Sequence, residues 1–373
     1  MADTTPNIGL RKPLESDFVS VDTLNENMER IDQAHGVMHH ELISHRAEYE
    51  NLLLSRTGIN ANAIINGNFD IWQRGTSFIG GRYTADRWIS SVTNPSDNTV
   101  TRQSFSSGQT EVPNNPKYFL RLSPTTNQAA GSNMRHRIEG VHTFSGETVT
   151  LSTWLRSSIP TTTTIYLRQN FGTGGNPSAS VNKLTNVPVT IQWQQFTFTT
   201  TLDSVEGKSL GTNGNDCVEV ILTTNLGNTA HNFDIAQVQL CVGEKALPFQ
   251  PRSFGEELAL CQRYYEKSYD YGIEIGTRTI HGSAILNAGL TNSLIGNVSY
   301  KVRKRIQPTV QIYSTATGAL NKVSEYGGQV DVTTADVFAV YFNESNIGAP
   351  TSPSRQFHLN VPYSFQWAAD AEL

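Results

Sequence analysis

The hydrophobic period of the chain changes once, near its start, and the change divides it. From Val21 to Arg56 the core-compatible positions are Val21, Leu24, Met28, Ile31, His35, Met38, Leu42, His45, Tyr49 and Leu52, spaced alternately three and four residues apart. That is the a/d register of a left-handed coiled coil, kept for roughly five heptads. A lone amphipathic helix drifts off such a seam, because 3.6 residues per turn does not match 3.5. The spacing therefore predicts a helix that winds around identical copies of itself. A single long core helix of a monomer is the competing reading. Glu41 at g and Arg46 at the following e position suit parallel strands, and Leu42 at a with Ile31 at d leans towards three. His35 and His45 lie in the seam as polar layers that fix register; held neutral there, they would loosen the bundle on acidification.

Beyond residue 58 the period falls to two. Tyr118/Leu120/Leu122, Val149/Leu151/Leu155, Ile165/Leu167, Phe196/Phe198 and Val218/Val220/Leu222 alternate with polar residues, and Gly, Pro and Asn gather between the runs. Strands that bury one face each, separated by turn residues, predict two antiparallel sheets packed face to face. A short helical stretch follows from Glu256 to about Lys267, with Leu258, Leu260 or Cys261, and Tyr264/Tyr265 on its apolar side. Alternation then resumes over 270–373, at Val298/Tyr300/Val302, Val310/Ile312, Val330/Val332, Phe338/Val340/Phe342 and Phe357/Leu359/Val361. The expected fold is mainly β, in five parts. These are an extended peptide over 1–19, a trimeric coiled coil over 20–57 and a jelly-roll sandwich over 58–252, then a linker helix over 253–269 and a β-sandwich tip domain over 270–373. Asp17 or Ser20 is placed to cap the long helix.

Composition narrows the class. Charged residues make up 16%, below the usual quarter, and the net charge of −5 gives no sign of a nucleic-acid partner. Cys217, Cys241 and Cys261 have no metal-ligand spacing and read as reduced and structural. The first residues show no basic region followed by an apolar run, and no stretch approaches the ~20 apolar residues of a membrane span, so no membrane insertion is expected.

Several motifs carry a resemblance. Thr5-Pro6-Asn7-Ile8-Gly9-Leu10-Arg11-Lys12-Pro13, followed by Val21-Asp22-Thr23-Leu24-Asn25-Glu26-Asn27-Met28-Glu29-Arg30-Ile31-Asp32, is similar to the segment by which phage tail-fibre proteins dock on the virion. Asn66-Gly67-Asn68-Phe69-Asp70-Ile71-Trp72-Gln73-Arg74-Gly75, then Tyr83-Thr84-Ala85-Asp86-Arg87-Trp88, resembles the opening of the jelly-roll module, akin to carbohydrate-binding modules, found in phage receptor-binding proteins. The likeness continues through Arg137-Ile138-Glu139, Thr153-Trp154-Leu155-Arg156 and Phe233-Asp234-Ile235, and into a following helix and C-terminal β region. It implies a virion fibre or spike, assembled in the host cytoplasm, whose partners are other virion proteins through residues 1–19 and a host cell-surface polysaccharide. A structural calcium, as in similar modules, would draw on Asn66, Asp70 and Asp234; the same side chains equally suit turn capping.

Alternation also predicts which side chains point away from the sandwich core: Arg135, Arg137, Trp154, Arg156, Tyr166, Arg168, Asn170 and Trp193. Taken as one face, they set aromatic rings for stacking on sugars among arginine forks that grip carboxylates or phosphates. That suits an acidic or phosphate-bearing glycan. A salt-bridged structural layer or a contact between protomers is the alternative, while Trp72 and Trp88 are expected in the core. No enzymatic motif is present. Glu256 and Glu257 are adjacent on a helix and point apart, unlike the carboxylate pair of a glycosidase. The reading is thus a non-enzymatic homotrimer for host adsorption. Its alternatives are a structural collar, head-fibre or baseplate component, and a capsule depolymerase.

Overall fold

In the computed structural model the described residues are 10, 20–56 and 62–373, without 93–97, 125–131, 226–228, 328–330, 332–336, 340–341, 349 and 353–356. The side chains of Val21, of residues 43–56 and of 338–339 also lie outside that set. The chain forms two units, Met1–Ala61 and Asn62–Leu373.

In the first unit α1 runs over Val21–Arg56, as the heptad spacing predicts. Ser20 starts it: its Oγ accepts the backbone N–H of Thr23 at 3.2 Å, satisfying one of the donors a helix leaves open at its first turn. Leu24, Met28, Ile31, Met38 and Leu42 stand exposed along one chain, with Met28 at 65% and Leu42 at 67%. The rings of His35 and His39 stack at 6.3 Å. The seam side chains of Val21, His45, Tyr49 and Leu52 fall outside the described residues, as do residues 1–19 apart from Leu10.

The second unit opens with eleven strands: β1 (Ser77–Ile79), β2 (Trp88–Ser91), β3 (Asn98–Ser104), β4 (Tyr118–Pro124), β5 (Ser132–Glu139), β6 (Thr148–Ser157), β7 (Thr161–Asn170), β8 (Val181–Val189), β9 (Gln194–Thr201), β10 (Cys217–Thr224) and β11 (Phe233–Val242). They make one sheet in the order β1-β3-β4-β11-β6-β9 and a second in the order β2-β5-β10-β7-β8. From β4 to β11 the chain crosses between the sheets so that β4-β11-β6-β9 faces β5-β10-β7-β8, which is the jelly roll. The predicted alternation sets the core. Leu120, Met134, Leu151, Leu155, Ile165, Leu167, Val218, Val220 and Leu222 are buried between the sheets, with Trp72 and Trp88. Each such side chain contributes about 1.5–3 kcal/mol by leaving water.

α2 (Phe254–Gln262) follows, shorter than expected. Ser253 and Glu256 form a reciprocal capping box at its start. It stops at Gln262 because Tyr265–Lys267 turns into a strand that pairs with Pro362–Asp370, which overrides the helical spacing of Tyr264 and Tyr265. Pro362–Asp370 is the central strand of the C-terminal sheet and also pairs with Ala284–Leu290 and Thr309–Ser314. Its core includes Ile312, Val323, Phe357, Tyr363, Phe365 and Trp367. Alternation predicts Leu359 inside, but it is exposed: it sits on the turn before that strand. Val330, Val332 and Val340 lie outside the described residues.

A buried charge network joins the sandwich to the C-terminal sheet. Arg74 reaches Asp370 at 3.1 Å and Glu372 at 3.4 Å, with its guanidinium 3.6 Å from the Tyr265 ring centroid. Arg87, fully buried, pairs with Glu372 and stacks 3.4 Å from the ring centroid of Tyr264. Tyr83 donates its hydroxyl to the carbonyl of Leu373 at 2.7 Å. Nearby, the buried ammonium of Lys304 meets Glu266 at 2.5 Å. A buried charge costs least when paired and hydrogen-bonded, and each of these is. The arginines of the opening motif thus clamp residues 370–373.

Candidate functional site

The eight outward residues separate onto two opposite faces. Trp154, Arg156 and Trp193 lie on the outer side of β6 and beside β9, whereas Arg135, Arg137, Tyr166, Arg168 and Asn170 lie on the outer side of β5 and β7. Alternation assigns a side chain to the outside of its own sheet; it does not say which sheet. The expectation of one shared face is therefore corrected.

On the first face the aromatic groups are spent on packing. Trp193 is buried in a small cluster with Val112, Phe119 and Ala236, against which Phe105 and Trp154 pack. Phe105 and Phe119 hold its ring at centroid distances of 5.4 and 5.3 Å. Arg156 stacks over it at 4.7 Å and is anchored by Asp234, Nη2 to Oδ2 at 2.7 Å. Arg121 takes the other carboxylate oxygen at 2.7 Å. Trp193 offers no open ring, and Arg156 has its anion already.

The side chains of the calcium set have protein partners. Asp234 is neutralised by two guanidinium groups. The Asn66 side chain is committed to the backbone, accepting from Ile71 N at 2.9 Å and donating to the carbonyls of Ile71 and Asp86. Asp70 accepts from Asn68 at 2.9 Å. Among the described residues no three His, Cys, Asp or Glu side chains cluster as a metal site.

The second face is different. Register places Arg137, Glu219 and Arg168 in one row across β5, β10 and β7, and Arg135, Ile221 and Tyr166 in the next; β8 extends the rows with Asn182 and Leu184. Glu219, 1% exposed, is the hub. Arg137 Nε meets it at 2.9 Å and Arg168 Nη1 at 3.4 Å. Asn182 accepts from Arg168 Nε at 2.8 Å, and Asn133 from Arg135 Nε at 2.7 Å, so the forks are held in place. Two guanidinium groups share one carboxylate and the third, Arg135, stands beside them without an ion pair of its own among the described residues, leaving the patch cationic. Burial pulls the Arg135 guanidinium below its ordinary value, opposed by Glu219 and reinforced by Arg168 and Arg137.

Two members of this set are partly committed. Arg137 donates to the carbonyl of Leu373, and Asn170 accepts from Gly172 N at 3.0 Å in a turn where Gly172 has φ 88°. Arg135, Tyr166 and Arg168 remain half-exposed and adjacent, with Leu184 exposed beside them. Both carboxylates of the face, Glu219 and Glu139, are engaged by arginines, the latter by Arg263 at 2.9 Å. The arrangement can grip an anion and seat a flat apolar surface. The hub escaped the alternation argument, although Glu219 is the only charged residue of the strand Cys217–Thr224.

The three cysteines are buried and unpaired. Burial pushes the Cys217 thiol to about 12 and the Cys241 thiol to about 11, so neither is a nucleophile near neutral pH. Among the described residues no helix is long and apolar enough to cross a membrane.

No family model matches the chain, and no curated protein matches it. Among solved structures it is similar to the enzymatically active domain of tailspike protein 4 of bacteriophage CBA120, at 16% identity and a TM-score of 0.33, covering 49% of this chain and 21% of that chain. It is also similar to the CBM22-1 xylan-binding domain from Paenibacillus barcinonensis Xyn10C, at 11% identity and a TM-score of 0.32, covering 50% and 97%. A third is the N-terminal cellulose-binding domain of Cellulomonas fimi β-1,4-glucanase C, at 17% identity and a TM-score of 0.29, covering 46% and 98%. At these identities and scores the likenesses, which extend over no more than about half of this chain, decide neither its family nor its ligand.

Proposed function

We propose that this chain is a phage virion fibre or spike protein that acts as a homotrimer, docks on other virion proteins through residues 1–19, and binds an acidic or phosphate-bearing host surface glycan for adsorption. The observation that carries the reading is the half-exposed trio Arg135, Tyr166 and Arg168 above the single buried carboxylate of Glu219. Guanidinium forks match carboxylate and phosphate groups bidentately, and a tyrosine ring beside them offers a stacking surface. The docking role rests on the resemblance of residues 5–13 and 21–32. Trimerisation is supported by the heptad spacing and by the uncovered apolar side chains of α1. Three copies would raise the effective concentration at a polysaccharide, turning weak single-site affinity into avidity.

Binding of the purified protein to acidic and neutral capsular or lipopolysaccharide oligosaccharides on an array tests this. Arg168→Ala and Tyr166→Ala should each lower binding at least tenfold, whereas Trp154→Phe, on the opposite sheet, should not. Retention of full binding by both of the first two variants would refute the assignment of this face.

A further inference from the structure

A second site lies where the sandwich meets the loop that follows Tyr265–Lys267. A cavity of 410 Å³ is lined by Trp72, Arg102, Tyr118, Lys267, Tyr271 and Glu274, among others. Gly75, at φ 124°, helps to leave it open: a Cβ there would lie 3.3 Å from the Glu274 carboxylate and 3.5 Å from the Phe78 ring. Its aromatic wall is fixed. The Tyr271 hydroxyl accepts from Trp72 N at 2.6 Å and donates to the carbonyl of Asp70 at 3.0 Å, and Phe254 packs edge-on against the Tyr271 ring.

The charges in this cavity are unbalanced. Lys267 is 4% exposed, and its ammonium donates to the carbonyls of Tyr271 and Ile273 but to no carboxylate among the described residues. One of its three protons is left over. Arg102 lies over the Tyr118 ring at 4.4 Å and likewise has no ion pair among the described residues. Elsewhere in this unit the buried cations Arg74, Arg87 and Lys304 each have a carboxylate partner. Asp86, Glu274 and Asp270 act on Lys267 only at a distance, and burial lowers it to about 8. Two cations without a carboxylate partner among the described residues, beside aromatic rings in a hollow of this size, match the way proteins take small polar ligands.

We propose that this cavity binds one carboxylate-bearing sugar residue, its carboxylate held by Lys267 and Arg102 and its ring lying against Tyr118 and Tyr271. The site is separate from the arginine face of β5 and β7 and does not depend on it. Glu274, at the rim, disfavours a second negative charge.

Isothermal titration of the full chain with D-glucuronate, D-glucose and inorganic phosphate tests the proposal. Glucuronate should bind once per chain, at least tenfold more tightly than glucose or phosphate, and more weakly above pH 8 as Lys267 loses its proton. Lys267→Met and Arg102→Ala should each weaken it at least tenfold, and Glu274→Gln should strengthen it. Arg168→Ala should leave it unchanged, which separates this site from the other face. Arg102 is only half-buried, so its variant remains informative if Lys267→Met does not fold. No heat with glucuronate, equal binding of glucose, preference for phosphate, or affinity indifferent to Arg102→Ala would each overturn the assignment.

Discussion

Replacing Arg87 by alanine should uncouple the C-terminal sheet from the sandwich. The Arg87 side chain is 0% exposed and Glu372 5%. It also donates to the carbonyl of Arg137 at 2.5 Å and covers the Tyr264 ring. Removing one partner of a buried pair costs about 3–5 kcal/mol, because the other charge stays behind. Here Arg74 still attends Glu372 at 3.4 Å, which favours the low end, while the lost stacking adds up to ~2 kcal/mol. A net loss of about 4 kcal/mol follows from these opposing contributions. Arg87 has φ 72°, a left-handed conformation alanine must also adopt, so backbone strain cancels in the comparison. For a unit of roughly 300 residues, ~2.1 cal/mol/K per residue converts this to a fall in Tm of about 6 °C. Calorimetry of the full chain should show the unit's transition lowered by that amount and split, the C-terminal sheet melting first. Arg87→Ala, Glu372→Gln and the double variant should give a coupling energy above ~1.5 kcal/mol. A loss below ~1 kcal/mol, or additive singles, would refute the clamp.

Three further outcomes are expected. His136 is fully buried against Trp88, and burial, reinforced by Arg87, holds its pKa well below the usual value. Above about pH 6.5 it is neutral in both states. Below that the unfolded chain takes a proton the native one refuses, so stability should fall by ~1.4 kcal/mol per pH unit until the depressed native pKa is reached. Urea midpoints at pH 7.5 and 5.5 should show this slope, and His136→Gln should flatten it. Asp234→Asn should cost about 2 kcal/mol and red-shift tryptophan emission, since it frees Arg121 and Arg156 and loosens the Trp193 cluster; quarter-exposed arginines reach water, hence the modest figure. By sedimentation at micromolar concentration the full chain should run as a trimer at pH 8 and dissociate after Leu24→Ser/Ile31→Ser/Leu42→Ser; a wild-type monomer would refute the fibre reading.

What periodicity encodes is local. A three-four spacing from Val21 to Leu52 and a period of two from Tyr118 onward were enough to write down α1, the strands and most of the core, because burial of one stripe or one face repeats with the backbone's own geometry. The same rule placed Arg135, Arg168, Trp154 and Trp193 outside their sheets. Whether they meet was decided by strand order: β10 brings Glu219 between Arg137 and Arg168, and the crossing of the chain sends Trp154 and Trp193 to the other side. Nor could spacing reveal that Arg87 and Glu372, 285 positions apart, share a buried pair, or that Lys267 and Arg102 line one cavity, neither with an ion pair among the described residues. Charge pairing acts through space at a few ångströms and carries no period along the chain. The sequence therefore determined the elements and their faces, and only tertiary packing decided which charges meet a partner of opposite sign.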